Sequence, residues 1–291
     1  MPSPMQRPGI VVGVDGSAAS QAAARWAASE ASMHDAPLTL VHAVDAALST
    51  WPHGPVPNFE EWLVQRGRQY LDEATGIVED TLRSAGRAEV QRLMLFAGAV
   101  VTLVDLSKEA EMMVVGCRRG GGLAGNLLGS VSSGLVYHAH CPVVVVHDEH
   151  PPSLDAPILV GIDGSPASEL ATAIAFDEAS RRGVELIALH AWSDREIIEL
   201  PGLDWAIVKQ QEELSLAERL AGWQERYPDV NVRRVVVCDQ PAHQLVEQSA
   251  DAQLVVVGSH GRGGFAGMLL GSVAGAVVHS ARVPVIVARE S

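Results

Sequence analysis

Two glycine-rich stretches carry the residue types that could hold a charged ligand. One is Gly258-Ser-His-Gly-Arg-Gly-Gly-Phe-Ala-Gly-Met-Leu-Leu-Gly-Ser-Val273. It follows the apolar run Leu254 to Val257, which reads as a buried strand. It leads into Ala274 to Ala281, which reads as a helix whose start is Gly271-Ser272. Backbone N–H groups of such a loop can converge on phosphate oxygens, and a helix N-terminus adds donors and the positive end of a dipole. The other stretch is Gly116-Cys-Arg-Arg-Gly-Gly-Gly-Leu-Ala-Gly-Asn-Leu-Leu-Gly-Ser-Val131, identical to the first at ten of sixteen positions. A glycine turn that only packs a helix tightly on a sheet would look similar. The length of the loop and the Gly-Ser at its end favour phosphate. Arg262 could add a charge there or stay solvated, and His260 reads as a surface residue.

Neither loop is a P-loop, because no Gly-x-x-x-x-Gly-Lys-Ser/Thr occurs. Gly120-x-Gly122-x-x-Gly125 matches the dinucleotide fingerprint only formally: it follows the fourth strand of its unit, and the second stretch has Ala266 at the final position. There is no Gly-x-Ser-x-Gly elbow, no cysteine with a paired histidine in a recognisable setting, and no His/Cys/carboxylate group at metal-ligand spacing.

The elements that must position these loops are legible because the chain repeats itself. Val12-Gly-Val-Asp-Gly-Ser17 returns as Val160-Gly-Ile-Asp-Gly-Ser165, and Thr39-Leu-Val-His-Ala-Val44 as Ile187-Ala-Leu-His-Ala-Trp192. The offset is 148 residues there and 142 at the glycine-rich loops, so the first copy holds about six extra residues, which its proline-rich Trp51 to Pro57 can absorb. Within the first copy, strands are expected at Ile10–Val14, Leu38–Val44, Val90–Phe96, Met112–Val115 and 142–146. Helices are expected from Ser17 to about Met33, from near Phe59 to Ser84, over Ala99–Ala110 and over Ser130–His140. Ser17 and Ser165 are plausible N-caps, the latter followed by Pro166. Trp205, Trp223 and Tyr227 read as helix packing, and Asp177-Glu178 and Glu212-Glu213 as solvated helix faces.

Strands that alternate with helices and read as continuous Val/Ile/Leu runs imply an α/β fold, with a parallel sheet covered on both faces. The chain then forms two domains, 1–148 and 156–291, joined by a linker over 149–155. The final strand of each copy is very apolar. Such edges need cover, by pairing between the copies or between subunits of a homodimer.

In open parallel sheets, ligands bind beyond the carboxyl ends of the strands, where strand order reverses. Three features of each copy land there: Asp15 or Asp163 after strand one, His42-Ala43 or His190-Ala191 at the end of strand two, and the glycine-rich loop after strand four. Gly13 and Gly161 permit close approach to strand one. Asp15 and Asp163 could accept a ribose hydroxyl, or only stabilise the turn before the helix. His42 and His190 read as hydrogen-bonded spacers rather than catalysts.

Composition narrows the function classes. The 291 residues suit two domains, and 47% hydrophobic content with few aromatics suits aliphatic cores. A formal net charge of −14 argues against general nucleic-acid binding. No apolar run is long enough for a membrane span and no secretory signal core precedes the first strand. Cys117, Cys141 and Cys238 make no disulfide framework, so a reduced cytoplasmic setting is expected.

Gly258-x-x-Gly261, nine residues, then Gly271-Ser272 resembles the Gly-x2-Gly-x9-Gly-Ser/Thr signature of ATP-binding universal stress proteins. Val160-Gly-Ile-Asp-Gly-Ser165 and Leu189-His-Ala191 resemble the same family. The resemblance covers both halves and is to tandem members of the actinobacterial, mycobacterial kind. It implies two Rossmann-like five-stranded sheets of order 3-2-1-4-5. It also implies ATP in each half, with or without Mg2+. By that pattern Asp163 lies near the ribose, Ala191 near adenine, and Gly258, Gly261, Gly271, Ser272 and Val273 hold ribose and phosphates. Their counterparts are Asp15, Ala43, Gly116, Gly129, Ser130 and Val131. The first half departs at one position: Arg119 replaces the second signature glycine, with Gly120 one place later. If Gly261 adopts a positive φ, an arginine at 119 would be strained, and the first half is then the less secure site. Two other functions compete with a nucleotide-dependent regulator of stress, dormancy or growth. One is a slow ATPase or nucleotidyl-transfer enzyme on the same fold. The other is an interaction scaffold with a degenerate first site.

Overall fold

The computed structural model describes residues 8–44, 58–117, 128–147, 153–192, 205–262 and 269–289. The chain divides into two compact units, residues 1–148 and 149–290. The first contains β1 (Ile10–Gly13), α1 (Ala18–His34), β2 (Leu38–Ala43), α2 (Phe59–Ala85), β3 (Val90–Leu95), α3 (Ala99–Leu106), β4 (Met112–Cys117), α4 (Ser130–His138) and β5 (Val143–His147). The second contains β6 (Ile158–Gly161), α5 (Pro166–Arg182), β7 (Leu186–Trp192), α6 (Trp205–Arg226), β8 (Val232–Cys238), α7 (Pro241–Gln248), β9 (Leu254–Gly258), α8 (Ser272–Ser280) and β10 (Val285–Ala288). Each unit is an α/β layer structure whose strands all pair in parallel. The orders are β3-β2-β1-β4-β5 and β8-β7-β6-β9-β10, the 3-2-1-4-5 arrangement in both.

The central strands are β-branched runs buried on both faces: IVVG in β1, MMVVGC in β4, LVVVG in β9. The outer strands β3 and β8 are only partly buried, and carry Arg92, Arg233 and Arg234, charges that blunt an edge. Helix α1 buries Ala19, Ala23, Ala24, Ala27, Ala28 and Ala31. Side chains this small let a helix lie very close to a sheet. Its N-cap Ser17 accepts the Ser20 N–H at 3.2 Å; in α5, Ser165 accepts from Ser168 at 3.3 Å. Helix α2 buries Gly67, Leu71, Ala74 and Val78, a stripe at steps of four, three and four residues.

The sheet opens where the site lies. β1 pairs with β2 as far as Gly13–Val41, and Val14 N–H continues to Val41 O at 2.9 Å. Its pairing with β4 stops at Val12–Val114, and β6 likewise leaves β9 after Val160–Val256. The strands therefore diverge at the switch point of each unit.

Several expectations are corrected. The third helix ends at Leu106 rather than Ala110, because the Ser107 hydroxyl turns back to Val104 O and also accepts the His140 N–H at 2.9 Å. The fourth ends at His138, where Ala139 becomes extended. Glu178 is not on a solvated face: it is 1% exposed and paired with Arg182 four residues on, at 3.0 Å. Glu212 pairs with His190 of β7 at 3.2 Å, a cross-element partner that charge periodicity alone does not reveal. Trp223 and Tyr227 do pack as expected, with ring centroids 5.9 and 5.7 Å from fully buried Phe176. The proline-rich stretch 51–57 and most of the linker lie outside the described residues.

Phe176→Ala is expected to destabilise the second unit by about 3–5 kcal/mol, seen as an earlier denaturant transition. Cys238 is exposed while Cys117 and Cys141 are buried, and burial pushes the Cys117 thiol up. Because the thiolate is the reactive form, a chromogenic disulfide reagent at neutral pH should titrate Cys238 rapidly, and the other two only after denaturation.

Candidate functional site

In the first unit the C-terminal ends of β1, β2 and β4 frame an open cleft of about 530 Å3. Gly13, Asp15, Ala43, Gly116, Gly129, Ser130 and Val131, drawn from four separate segments, all line it. Arg119 and Gly120 lie outside the described residues. The cleft also takes Ser20, Val41, His42, Ala99 and Leu103. Of these, Ser20 had a sequence signal: Asp-Gly-Ser-x-Ala-Ser occurs at both 15–20 and 163–168. Ala99 and Leu103 come from α3. The parallel topology brings the start of α3 to the same end of the sheet, but no local motif marks it.

The aspartate turn is built identically in both units. Asp15 Oδ1 accepts the Ser17 backbone N–H at 3.0 Å and the Ser17 hydroxyl at 2.5 Å. Asp163 Oδ1 accepts the same groups of Ser165 at 2.9 and 2.6 Å. Gly16 and Gly164 have φ of 76° and 78°, the left-handed conformation that this turn needs. Ser20 and Ser168 then take the N–H of Asp15 and Asp163 at 3.3 and 3.1 Å. The turn role and a ligand role are compatible, because turn formation engages one carboxylate oxygen, Oδ1.

The glycines of the loop signature divide by function. A Cβ on Gly116 would run into the Ala19 carbonyl, and one on Gly258 would lie 2.7 Å from the Ala167 carbonyl carbon. The first signature glycine is thus required by α1 and α5 packing on the strand. Gly261 does not have positive φ, so the condition under which an arginine at 119 would be strained is not met in the second unit. A Cβ there would instead sit 2.5 Å from Asp163 Oδ2. Gly13 and Gly161 admit leucine side chains, Leu103 Cδ1 at 3.3 Å and Leu245 Cδ1 at 3.0 Å from the added carbon.

Helices α4 and α8 differ from α1 and α5 at their starts. Their N-caps, Gly129 and Gly271, supply no side-chain acceptor. Gly271 N–H is held by Ser259 O at 2.7 Å, which ties the two ends of the loop together. The first-turn N–H groups at Ser130 and Val131, and at Ser272 and Val273, lie beyond these caps, where a helix has no internal acceptors to offer.

His42 Nδ1 lies 2.8 Å from Val14 O, and His190 Nδ1 2.6 Å from Ile162 O. A carbonyl only accepts, so Nδ1 carries the proton in each. The histidines pin the end of the second strand, next to Ala43 and Ala191, to the end of the first. In the second unit the loop folds onto the turn. Arg262 N–H donates to Asp163 Oδ2 at 3.1 Å, and Arg262 Nε donates to the Asp163 carbonyl. The Ser165 hydroxyl lies 3.1 Å from His260 O. Gly161, Asp163, Gly258, Gly261 and Arg262 are therefore gathered around one turn, with Gly271 at the end of the same loop.

Comparison with known proteins agrees with this geometry. The model of the "Universal stress protein family" matches residues 8–147 and again 156–289. A universal stress protein of Mycobacterium tuberculosis is 59% identical over 295 residues, covering all of both chains. A second from that species is 58% identical over 287 residues, covering 97% of each. Among solved structures, a universal stress protein from Archaeoglobus fulgidus matches with a TM-score of 0.73 at 20% identity, covering 99% of this chain and 100% of that one, a likeness of fold. With both halves matched and relatives this similar end to end, the chain belongs to the universal stress protein family, as a tandem-domain member.

Proposed function

We propose that each half binds an adenine ribonucleotide, ATP in the first instance, and that occupancy of the two sites regulates a cytoplasmic stress, dormancy or growth response. The observation that carries this reading is the convergence of seven residues from four segments on one cleft at the switch point of the first sheet. The chemistry of the lining suits the parts of a nucleotide. The glycine-capped starts of α4 and α8 offer backbone donors and a positive dipole end to phosphates. The aspartate turn offers carboxylate oxygen to a sugar hydroxyl. The ends of β2 and β7 at Ala43 and Ala191, with Val41 and Leu103 in the first unit, offer an apolar edge and backbone polar groups to a base. A cleft of about 530 Å3 is within the usual size of small-molecule sites, roughly 300–1,000 Å3. Mg2+ would enter with the phosphates and neutralise part of their charge.

The reading is tested by purifying the chain natively, denaturing it and identifying released ligand by mass spectrometry, with calorimetry on the stripped protein. ATP is expected at up to two per chain; no adenine nucleotide released and none bound would sink it. Replacing both aspartates, Asp15→Ala with Asp163→Ala, is expected to weaken binding about ten- to a hundredfold while circular dichroism stays native. That is the loss of a hydrogen bond to a charged acceptor at each site, about 1.5–3 kcal/mol.

A further inference from the structure

We propose that Arg262 is an intramolecular latch that closes the second-half site by occupying the group that a nucleotide sugar needs. The proposal rests on the nucleotide reading above and adds regulation to it. Three contacts make the latch. Arg262 backbone N–H donates to Asp163 Oδ2 at 3.1 Å, and its guanidinium Nε donates to the backbone carbonyl of the same aspartate. The carbonyl of His260, two residues earlier, lies 3.1 Å from the Ser165 hydroxyl.

Asp163 Oδ1 is committed to the turn by two Ser165 donors. Only Oδ2 remains to face a ligand, and Arg262 N–H is on it. A carboxylate oxygen can accept more than one bond, but the space is also taken: the Gly261 Cα stands so close that a Cβ would lie 2.5 Å from Oδ2. A sugar hydroxyl that reaches Oδ2 must displace the Gly261-Arg262 backbone. Ser165 couples to the same event. Its hydroxyl has one hydrogen and two acceptors in range, Asp163 Oδ1 at 2.6 Å and His260 O at 3.1 Å, so it serves one at a time. The guanidinium Nε is engaged by the Asp163 carbonyl, which holds the side chain at the turn. The Gly261-Arg262 backbone thus competes with the sugar, and the Arg262 side chain tethers that backbone to the turn through Nε. Releasing the tether should improve binding, whereas a phosphate-binding arginine would do the opposite.

The latch operates inside the second half, so a site-resolved readout is needed on the full chain. Hydrogen exchange of peptides covering 162–168 and 259–262 supplies one. Without ligand, Asp163→Ala should speed exchange of the 259–262 segment, because it removes the acceptor of the Arg262 amide; unchanged exchange overturns the latch. An ATP titration followed at 162–168 should then show Arg262→Ala and Arg262→Met, which keep the main-chain N–H but lose the Nε tether to the Asp163 carbonyl, binding about three- to tenfold more tightly than the wild type, the value of that one hydrogen bond. Arg262→Met keeps the length of the stem and separates lost bulk from lost contact. Equal or weaker binding in both variants, with binding intact in the wild type, overturns the latch alone and makes Arg262 a ligand-side residue. Protection by ATP in none of the three proteins overturns the latch and the nucleotide reading together.

Discussion

Everything at the site depends on how closely one helix lies on one strand. At the end of β4 the Gly116 backbone meets the first turn of α1 at Ala19, and at the end of β9 Gly258 meets Ala167 of α5. Glycine on one side and alanine on the other bring two backbones into contact. That contact fixes the start of the helix against the exit of the fourth strand. The aspartate turn, which caps the helix, is thereby held beside the loop that leaves the strand. The alanine face of α1 and the bare Gly116 near the end of β4 are one device written in two places in the sequence.

On that shared frame the halves carry different side chains. In the first, the ring of Tyr70 lies over Gly16 and meets His42 edge-on at 5.4 Å, with Arg66 donating to its hydroxyl at 2.9 Å. In the second, the Arg219 guanidinium lies over Gly164, and His190 faces the Glu212 carboxylate. The histidines do the same structural work in both, tying the second strand to the first. What leans on them is aromatic in one unit and acidic in the other. The repeat therefore preserves the backbone scaffold and lets the electrostatics diverge.

Much of this was legible from residues. Valine runs gave the strands because a strand buried on both faces has no reason to alternate. The recurrence of Asp-Gly-Ser gave the turn, and the parallel order then brought Gly13, Asp15, Ala43, Gly116 and Gly129–Val131 to one place. What was missed has a common cause. Ser107 leaves its helix for an N–H in another segment. Glu178 and Glu212 are charged residues at helical spacing whose burial or partners are set by packing. Leu103 reaches the cleft from α3. Each depends on tertiary neighbours, and local pattern holds no record of those. What stands against a side chain at 261 is a neighbouring carboxylate rather than backbone conformation, and that too is a tertiary neighbour.

The signature glycines bear unequal constraints, and this shapes how such domains can drift. Gly116 and Gly258 are locked by main chain on the far side, so replacing them disturbs the helix and the strand together. Gly261 is constrained by the tip of a side chain, the Asp163 carboxylate, rather than by main chain. A substitution at the second signature position therefore disturbs less of the helix–strand contact than one at the first. The first half of this chain carries Arg119 at that position.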